Sequence, residues 1–176
     1  MSLASRIKQT SQLSGDFLLR SGKRSQTYFD KYRFEANPAL LKDIAQALVP
    51  LIPADTEVLA GLELGGIPIV TVLSQLTGLP AAFIRKEAKA YGTCRYAEGT
   101  ELKGKRFVLI EDVVSSGGAI LDAIKLLKAD GLSVDYAICV IDRETGGQAA
   151  LQAAGVTLKV LLTMSEIEYP EKVVSK

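Results

Sequence analysis

The sequence has no histidine and only two cysteines among its 176 residues. The missing histidine excludes Ser-His and Cys-His nucleophilic pairs, histidine metal sites and imidazole acid–base catalysis. Cys94 and Cys139 lack the spacing of a metal site, and Cys139 lies in an apolar run where a buried free thiol is typical. Any chemistry must therefore depend on carboxylates, lysines and backbone groups.

The chain also has little net charge and no long apolar run. It carries 21 basic and 20 acidic residues, for a net charge of +1, so bulk affinity for nucleic acid or membranes is not expected. No apolar run approaches the ~20 residues of a membrane span, and the N-terminus lacks the order of a signal peptide. We therefore expect a cytoplasmic protein, and 48% hydrophobic residues predict one compact domain over 1–176.

Residues 106–131 predict a strand, a polar turn and a helix in succession. The run 107–110 is short, apolar and partly β-branched, as in a buried parallel strand, and Glu111 and Asp112 follow it. Two serines and two glycines come next at 115–118, before apolar residues at helical spacing. In an open α/β sheet such a turn lies at the carboxyl ends of the strands, where ligands bind.

The turn at 115–118 has the composition of a phosphate site. Glycines allow close approach, serines add hydroxyl donors, and the N–H groups and dipole of the helix favour an anion. The neighbouring carboxylates would repel a bare anion, so the ligand should also offer hydroxyls, as a sugar phosphate does. The segment matches neither a Walker loop nor G-x-G-x-x-G. A lone Gly-Gly pair would be equally compatible with a simple strand-to-helix turn.

The rest of the chain alternates strands and helices, which predicts an α/β fold with a mostly parallel sheet covered on both faces. A second glycine-rich junction, at 61–68, is a second candidate anion site. Residues 85–102 have no periodicity and predict a functional or mobile loop. The predicted strands are 17–19, 27–30, 57–62, 81–84, 107–110, 134–141 and 157–162.

Five segments, taken in order, resemble the orotate phosphoribosyltransferases, a group within the type I phosphoribosyltransferases. They are LLRSGKRSQTYFD at 18–30, GLELGGIP at 61–68, FIRKEAKAYGT at 83–93, VLIEDVVSSGGA at 108–119 and IDRETGG at 141–147. The resemblance implies the type I phosphoribosyltransferase fold, a mostly parallel sheet flanked by helices. It also implies an N-terminal hood of a helix and hairpin over about 1–35, and a core over about 36–176 with a mobile loop near 86–101.

The implied reaction transfers the 5-phosphoribosyl group from phosphoribosyl pyrophosphate to orotate, giving orotidine 5′-monophosphate and pyrophosphate in de novo pyrimidine biosynthesis. Mg²⁺ would be held mainly by the pyrophosphate. Negative charge builds on the leaving group while the ribose becomes oxocarbenium-like, so cations should surround the pyrophosphate and carboxylates should lie near the sugar. The resemblance further implies a homodimer in which the loop near Lys89 reaches the neighbouring active site.

The resemblance also assigns roles around the sugar and the leaving group. Residues expected to hold the 5′-phosphate are Ser115, Ser116, Gly117, Gly118 and Ala119. Glu111 and Asp112 would accept from the ribose hydroxyls and support Mg²⁺ through water. Residues expected around the pyrophosphate are the main catalytic cation Lys89, with Lys86, Arg85 and the backbone of Gly65 and Gly66.

Base recognition is assigned in the same way. Arg143 would pair with the orotate carboxylate, because a guanidinium fork matches a carboxylate bidentately. The alternative for Arg143 is a surface ion pair with Glu144. Tyr28 and Phe29 would line the base, and Arg20 could reach orotate or phosphate, although aromatic residues in a strand are often simply core.

The chain departs from its relatives in the loop and in the phosphate turn. Tyr91 stands where many relatives carry a histidine, so leaving-group stabilisation must depend on lysines and Mg²⁺. Cys94 and Arg95 replace common glycines, Arg20 replaces a common lysine, and the serines at 115–116 replace threonines. Two other functions stay open: transfer to another base such as uracil or a purine, and a non-catalytic nucleotide sensor.

Overall fold

Helices and strands alternate after a small N-terminal unit. The computed structural model describes residues 1–19, 22–88 and 95–170. The strands are β1 (Gln12–Leu18), β2 (Arg24–Phe29), β3 (Val58–Leu62), β4 (Ala81–Ile84), β5 (Ala97–Gly99), β6 (Phe107–Val114), β7 (Tyr136–Asp142) and β8 (Thr157–Thr163). The helices are α1 (Leu3–Ser11), α2 (Lys31–Glu35), α3 (Pro38–Leu48), α4 (Gly66–Thr77), α5 (Gly118–Ala129), α6 (Gly147–Ala153) and α7 (Met164–Glu168).

Six strands form the central sheet, in the order β5-β4-β3-β6-β7-β8. The neighbours from β4 to β8 are parallel, and β5 pairs antiparallel with β4 at one edge. A separate antiparallel hairpin, β1 with β2, lies near the N-terminus. The mostly parallel sheet flanked by helices, with a small N-terminal hairpin, confirms the fold predicted from the sequence. The division into an N-terminal hood and a core stays a prediction.

Both faces of the sheet are buried because successive residues of each strand point to opposite sides. Leu109 and Cys139 face the side covered by α5 and α6. Ile110 and Ile138 face the other side, with apolar residues of α1, α3, α4 and α7. Cys139 is a free thiol, as the sequence predicts, and burial raises its pKa. No helix within the described residues is long and apolar enough to cross a membrane.

Strand β6 is longer than its apolar run predicts. The sequence places the carboxylates after a strand 107–110, whereas β6 continues to Val114 and contains both of them. Pairing with β3 ends at Ile110, but pairing with β7 continues to Val114 opposite Asp142. The end of β6 therefore projects beyond its pairing with β3 and is paired with a neighbouring strand, β7, on one side only.

The start of α4 lies against the sheet backbone, which explains why glycine is present there. A Cβ on Gly66 would overlap the carbonyl oxygen of Ile110, and a Cβ on Gly61 would lie 2.6 Å from the carbonyl oxygen of Gly66. Neither position can hold a larger residue unless backbone moves. The glycine-rich junction thus serves packing as well as any ligand.

We expect Gly66→Ala to lower the free energy of unfolding by about 1–3 kcal/mol, the usual cost of overpacking. Urea denaturation of the purified variant measures this. Gly118→Ala is the matched control, because its Cβ would meet nothing closer than the Ser116 Oγ at 3.7 Å and alanine favours a helix. Equal loss of stability in both variants would contradict the packing explanation.

Candidate active site at the carboxyl end of the sheet

The phosphate turn joins the end of β6 to the start of α5. Its N-cap residue is Gly117, in the left-handed conformation with φ +81°, and it has no side chain to accept from the first N–H groups of the helix. These groups have no intrahelical acceptors and are available to an anion. Residues 115–119, together with Glu111, Val113, Val114, Ile120 and Asp122, line a depression of about 400 Å³. The turn thus has the local geometry that the sequence predicts.

Helices α4 and α6 begin in the same manner as α5. Their N-cap residues are Gly65 and Gly146, again without side chains, and α4 and α6 follow β3 and β7 as α5 follows β6. Because these strands are parallel neighbours, three open helix starts lie at one edge of the sheet. The candidate pyrophosphate turn at Gly65 and Gly66 is one of them.

A second depression, of about 270 Å³, lies beside the phosphate turn. Ala119 and Asp122 belong to the lining of both depressions. The remaining lining residues are Leu62, Glu63, Ile84, Arg85, Lys86, Glu87, Ala123 and Leu126. Two of the predicted cations, Arg85 and Lys86, are therefore brought next to the phosphate turn.

The backbone at Lys86 is tied to the glycine-rich junction. Its N–H donates to Glu63 Oε1 at 2.6 Å, and the Glu63–Leu64 peptide bond is cis. The start of the cationic loop is thus held against the turn expected to bind pyrophosphate. Lys89, Tyr91 and Cys94 lie outside the described residues, as does Arg20.

Glu111 and Asp112 leave β6 on opposite faces of the sheet. Glu111 lines the phosphate depression, whereas the Asp112 side chain is fully buried on the side of α2 and α4. Asp112 Oδ1 accepts from the N–H of Val113, and Oδ2 lies 2.6 Å from the Lys31 ammonium and directly beside Gly65. The predicted acidic pair therefore consists of one residue at the cavity wall and one beneath the pyrophosphate turn.

Lys31 and Glu35, both on α2, complete a buried cluster that the sequence did not reveal. Oδ2 of Asp112, Oε1 of Glu35 and Oε2 of Glu111 have no partner of hydrogen-bond geometry within the described residues. The Lys31 ammonium forms a short ion pair with Asp112 Oδ2, but the contact does not have the geometry of a hydrogen bond. The only sequence signal was Lys31 and Glu35 at helical spacing right after the first motif, a pattern usual for exposed helices.

The charges in this cluster are set by burial and by Asp112. Burial, followed by contact with Asp112, raises the pKa of Glu35 to about 9 and raises that of Glu111 as well. Burial also opposes ionisation of Asp112, but contacts with Glu111, Glu35 and Lys31 outweigh it and lower the pKa. Lys31 is desolvated too, yet the attraction of Asp112 raises its pKa. Burial therefore disfavours the charged forms of Glu35 and Glu111, whereas Asp112 and Lys31 form the ion pair of the cluster.

Arg143 lies just beyond β7, beside the end of β6. Its N–H donates to the carbonyl oxygen of Val114 at 2.8 Å, and its side chain is exposed. Glu144 does not pair with it, because the Glu144 carboxylate accepts from Ser165. A Cβ on Gly147 would lie 2.5 Å from the carbonyl oxygen of Ser115, so the turn after Arg143 packs directly on the phosphate turn.

The predicted base-lining aromatics line a third depression. Tyr28 is 44% exposed and its ring centroid lies 5.5 Å from that of Phe17, while Phe29 is half-buried against the core. Both line a depression of about 280 Å³ together with Met164, Ile167 and other residues of α1, β2 and α7. It shares no lining residue with the two depressions beside α5. Their contact with the base stays a prediction.

Metal binding by side chains alone finds little support. Within residues 1–19, 22–88 and 95–170, no three acidic or cysteine side chains are grouped as a metal site would require. Glu111 lines the phosphate depression, and its buried Oε2 has no hydrogen-bond partner among the described residues. The donor set fits a Mg²⁺ ion held mainly by a polyphosphate ligand.

The chain resembles known proteins over most of its length. The chain belongs to the phosphoribosyl transferase domain family, which it matches over residues 32–159. Orotate phosphoribosyltransferases are the relatives found: that of Nocardioides sp. is 48% identical over 166 residues, covering 94% of this chain and 93% of the relative. That of Methanocella arvoryzae is 43% identical over 166 residues, covering 94% and 95%.

Solved structures show the same likeness. The orotate phosphoribosyltransferase of Mycobacterium tuberculosis H37Rv in complex with 5-phospho-α-D-ribosyl 1-diphosphate has a TM-score of 0.80 at 26% identity, covering 94% of this chain and 96% of that one. The enzyme of Aeropyrum pernix has a TM-score of 0.80 at 27% identity, covering 97% and 99%. The recognition made from five sequence segments is confirmed.

The raised pKa of Glu35 predicts a pH dependence of stability. A carboxyl group with a folded pKa of about 9 stabilises the fold fully below the usual value of 4.5, and that contribution is lost as the pH rises toward 9. Glu35→Gln removes the titration, so its free energy of unfolding should fall less than that of the wild type between about pH 5 and about pH 9. Urea denaturation in metal-free buffer measures both profiles.

Glu57→Gln is the matched control with the opposite sign. A hydrogen bond from the N–H of Arg106, followed by contact with Lys105, lowers the pKa of Glu57, so its contribution is lost only on acidification. Its profile should differ from the wild type on the acid side alone. Parallel profiles for wild type and Glu35→Gln above pH 5 would show that Glu35 is ionised in the folded chain.

Proposed function

We propose that this chain transfers the 5-phosphoribosyl group of phosphoribosyl pyrophosphate to orotate, forming orotidine 5′-monophosphate and pyrophosphate. The observation that carries the proposal is the corner at the ends of β6 and β7. There the phosphate turn at 115–118 packs on the turn that follows Arg143, and the guanidinium is exposed without an acidic partner among the described residues. Relatives of 48% and 43% identity that are orotate phosphoribosyltransferases support the substrate.

The reaction breaks one bond and forms another at the anomeric carbon. The bond from C1′ to the pyrophosphate oxygen breaks and its electron pair leaves with the pyrophosphate, while an orotate ring nitrogen forms the new bond to C1′ and releases its proton to water. The phosphate turn holds the 5′-phosphate, so that C1′ keeps a defined position. Arg143 holds the orotate carboxylate bidentately, which aligns the attacking nitrogen.

The leaving group needs positive charge and hydrogen-bond donors. Arg85 and Lys86 lie in the depression beside the phosphate turn, and the open start of α4 at Gly65 and Gly66 offers backbone N–H groups. Lys89, three positions beyond Lys86, is the proposed main cation of this loop. Mg²⁺, when bound through the pyrophosphate, would supply further charge neutralisation to the departing group.

Glu111 is proposed to contact the ribose hydroxyls and a water of the metal shell. The residue lines the phosphate depression, and its buried Oε2 has no hydrogen-bond partner among the described residues. Asp112 acts from beneath the pyrophosphate turn, beside Gly65.

We also propose a homodimer in which the loop near Lys89 serves the neighbouring site. The cytoplasmic location expected from the sequence remains a prediction.

The proposal is tested by following orotate absorbance in the presence of phosphoribosyl pyrophosphate and Mg²⁺. We expect turnover with orotate, loss of turnover when a chelator removes Mg²⁺, and recovery when it is restored. Uracil and hypoxanthine replace orotate in parallel reactions. Turnover with either base but not with orotate would favour another phosphoribosyltransferase, and phosphoribosyl pyrophosphate binding without turnover of any base would favour a nucleotide sensor.

Arg143→Ala should raise the KM for orotate at least about tenfold, because a charged hydrogen bond contributes roughly 1.5–3 kcal/mol. Arg143→Lys keeps the charge but not the fork, so it should recover only part of the loss. Lys128→Ala, which removes an exposed cation in the last turn of α5, is the control. If Arg143→Ala raised the KM for orotate no more than Lys128→Ala does, the proposed contact between Arg143 and the orotate carboxylate would be wrong.

A further inference from the structure

We propose that Glu144 is a positioning residue for base recognition: by binding Ser165 of α7, it fixes the backbone that carries Arg143 and keeps its own carboxylate away from that guanidinium. The inference rests on the proposed function, since it concerns how Arg143 meets the orotate carboxylate. Glu144 itself is not expected to touch a substrate.

The backbone at Glu144 adopts a conformation that needs support. Its φ is +58°, in the left-handed region that residues other than glycine rarely enter. Such a residue is strained and persists only where surrounding contacts hold it. Its N–H donates to Asp142 Oδ1 at 2.9 Å, which closes the turn from one side.

The Glu144 side chain closes the turn from the other side. Its Oε2 accepts from the Ser165 N–H at 2.9 Å and from the Ser165 Oγ at 2.5 Å. These two bonds lower the pKa of Glu144, the hydroxyl contributing more than the N–H, so the group stays an anionic acceptor. Ser165 belongs to α7, where Ile167 is buried in the core, so the contact anchors the turn to a fixed element.

Arg143 is therefore held by its neighbours rather than through its own side chain. Its N–H donates to the carbonyl oxygen of Val114. The residues on either side are also held, because the Glu144 N–H donates to Asp142 and the Glu144 carboxylate accepts from Ser165. The exposed guanidinium therefore projects from a defined point. Asp142, the other acidic neighbour, accepts from the Glu144 N–H, so a free Glu144 carboxylate next to Arg143 would be the one to compete with a carboxylate substrate. Binding to Ser165 removes that competitor.

Helix α7 does not require Glu144 for its own start. Thr163 is its N-cap and forms a reciprocal capping box with Glu166: the Glu166 N–H donates to Thr163 Oγ1 and the Glu166 carboxylate accepts from the Thr163 N–H. The Glu144 contact is additional, so its effect on Arg143 can be separated from the stability of α7.

The test is steady-state kinetics of the full chain with orotate and phosphoribosyl pyrophosphate. Glu144→Ala should raise the KM for orotate about fivefold to tenfold, comparable to the loss of one ordinary hydrogen bond, and leave the KM for phosphoribosyl pyrophosphate within about twofold. Ser165→Ala should shift the same constant in the same direction, and Glu144→Gln, which keeps an acceptor, should recover most of it. Thermal denaturation checks that each variant is folded.

Two further variants separate position from strain and from helix stability. Glu144→Gly adopts a positive φ easily but lacks the contact, so it should still raise the KM for orotate. Glu166→Ala weakens the start of α7 without touching the turn, so it should not. A wild-type KM in Glu144→Gly, or an equal rise in Glu166→Ala, would overturn the positioning role.

A double variant decides whether Glu144 acts through Arg143. In an Arg143→Ala background, Glu144→Ala should cause no further rise in the KM for orotate, because the group it positions is gone. Additive effects would overturn the inference. Lack of orotate turnover by the wild type would defeat the proposed function and this inference with it, whereas normal turnover with an unchanged Glu144→Ala would defeat this inference alone.

Discussion

The parallel pairing of β6 with β7 beyond the end of β3 is the constraint on which the site depends. It extends the sheet backbone past Ile110 and places Glu111 and the phosphate turn at the edge of a deep corner. The backbone bond from Arg143 to Val114 continues that pairing by one step. The phosphate turn and the turn that carries Arg143 are thus joined by main-chain contacts, so their separation does not depend on flexible side chains.

Helices with glycine N-caps and buried carboxyl groups together reduce the electrostatic repulsion between this edge of the sheet and a polyanionic substrate. A polyanionic substrate must approach an edge of the sheet whose sequence carries two adjacent acidic residues. The open starts of α4, α5 and α6 direct N–H groups toward that edge. Burial raises the pKa of Glu111, and contact with Lys31 balances the charge of Asp112. Both effects oppose negative charge at this edge of the sheet.

Helix α2 connects the N-terminal hairpin to this arrangement. It follows β2 directly, and its Lys31 and Glu35 meet Asp112 beneath Gly65, where a side chain on residue 65 would have no room. The pyrophosphate turn consequently rests on a charged pair rather than on apolar packing. The opposite end of the site has a similar arrangement, since Glu144 ties the Arg143 turn to α7 through Ser165. Short helices outside the main sheet layers thus support both ends of the corner.

The sequence by itself determined the alternation of strands and helices, the glycine-rich turns and the family, because periodicity, turn composition and short motifs are local properties of the chain. It also indicated the turn at 115–118 and Arg143 as candidate site residues, and these roles stay predictions. It could not show that β6 extends beyond its apolar run, because the length of a strand depends on its pairing with the neighbouring strand. For the same reason Glu111 and Asp112 read as an adjacent pair, although the pleat of the extended strand sends them to opposite faces. Only tertiary structure decided that Lys31 and Glu35 meet Asp112, that Glu144 binds Ser165, and that Tyr28 and Phe29 line a third depression, since each depends on contacts between residues distant in sequence.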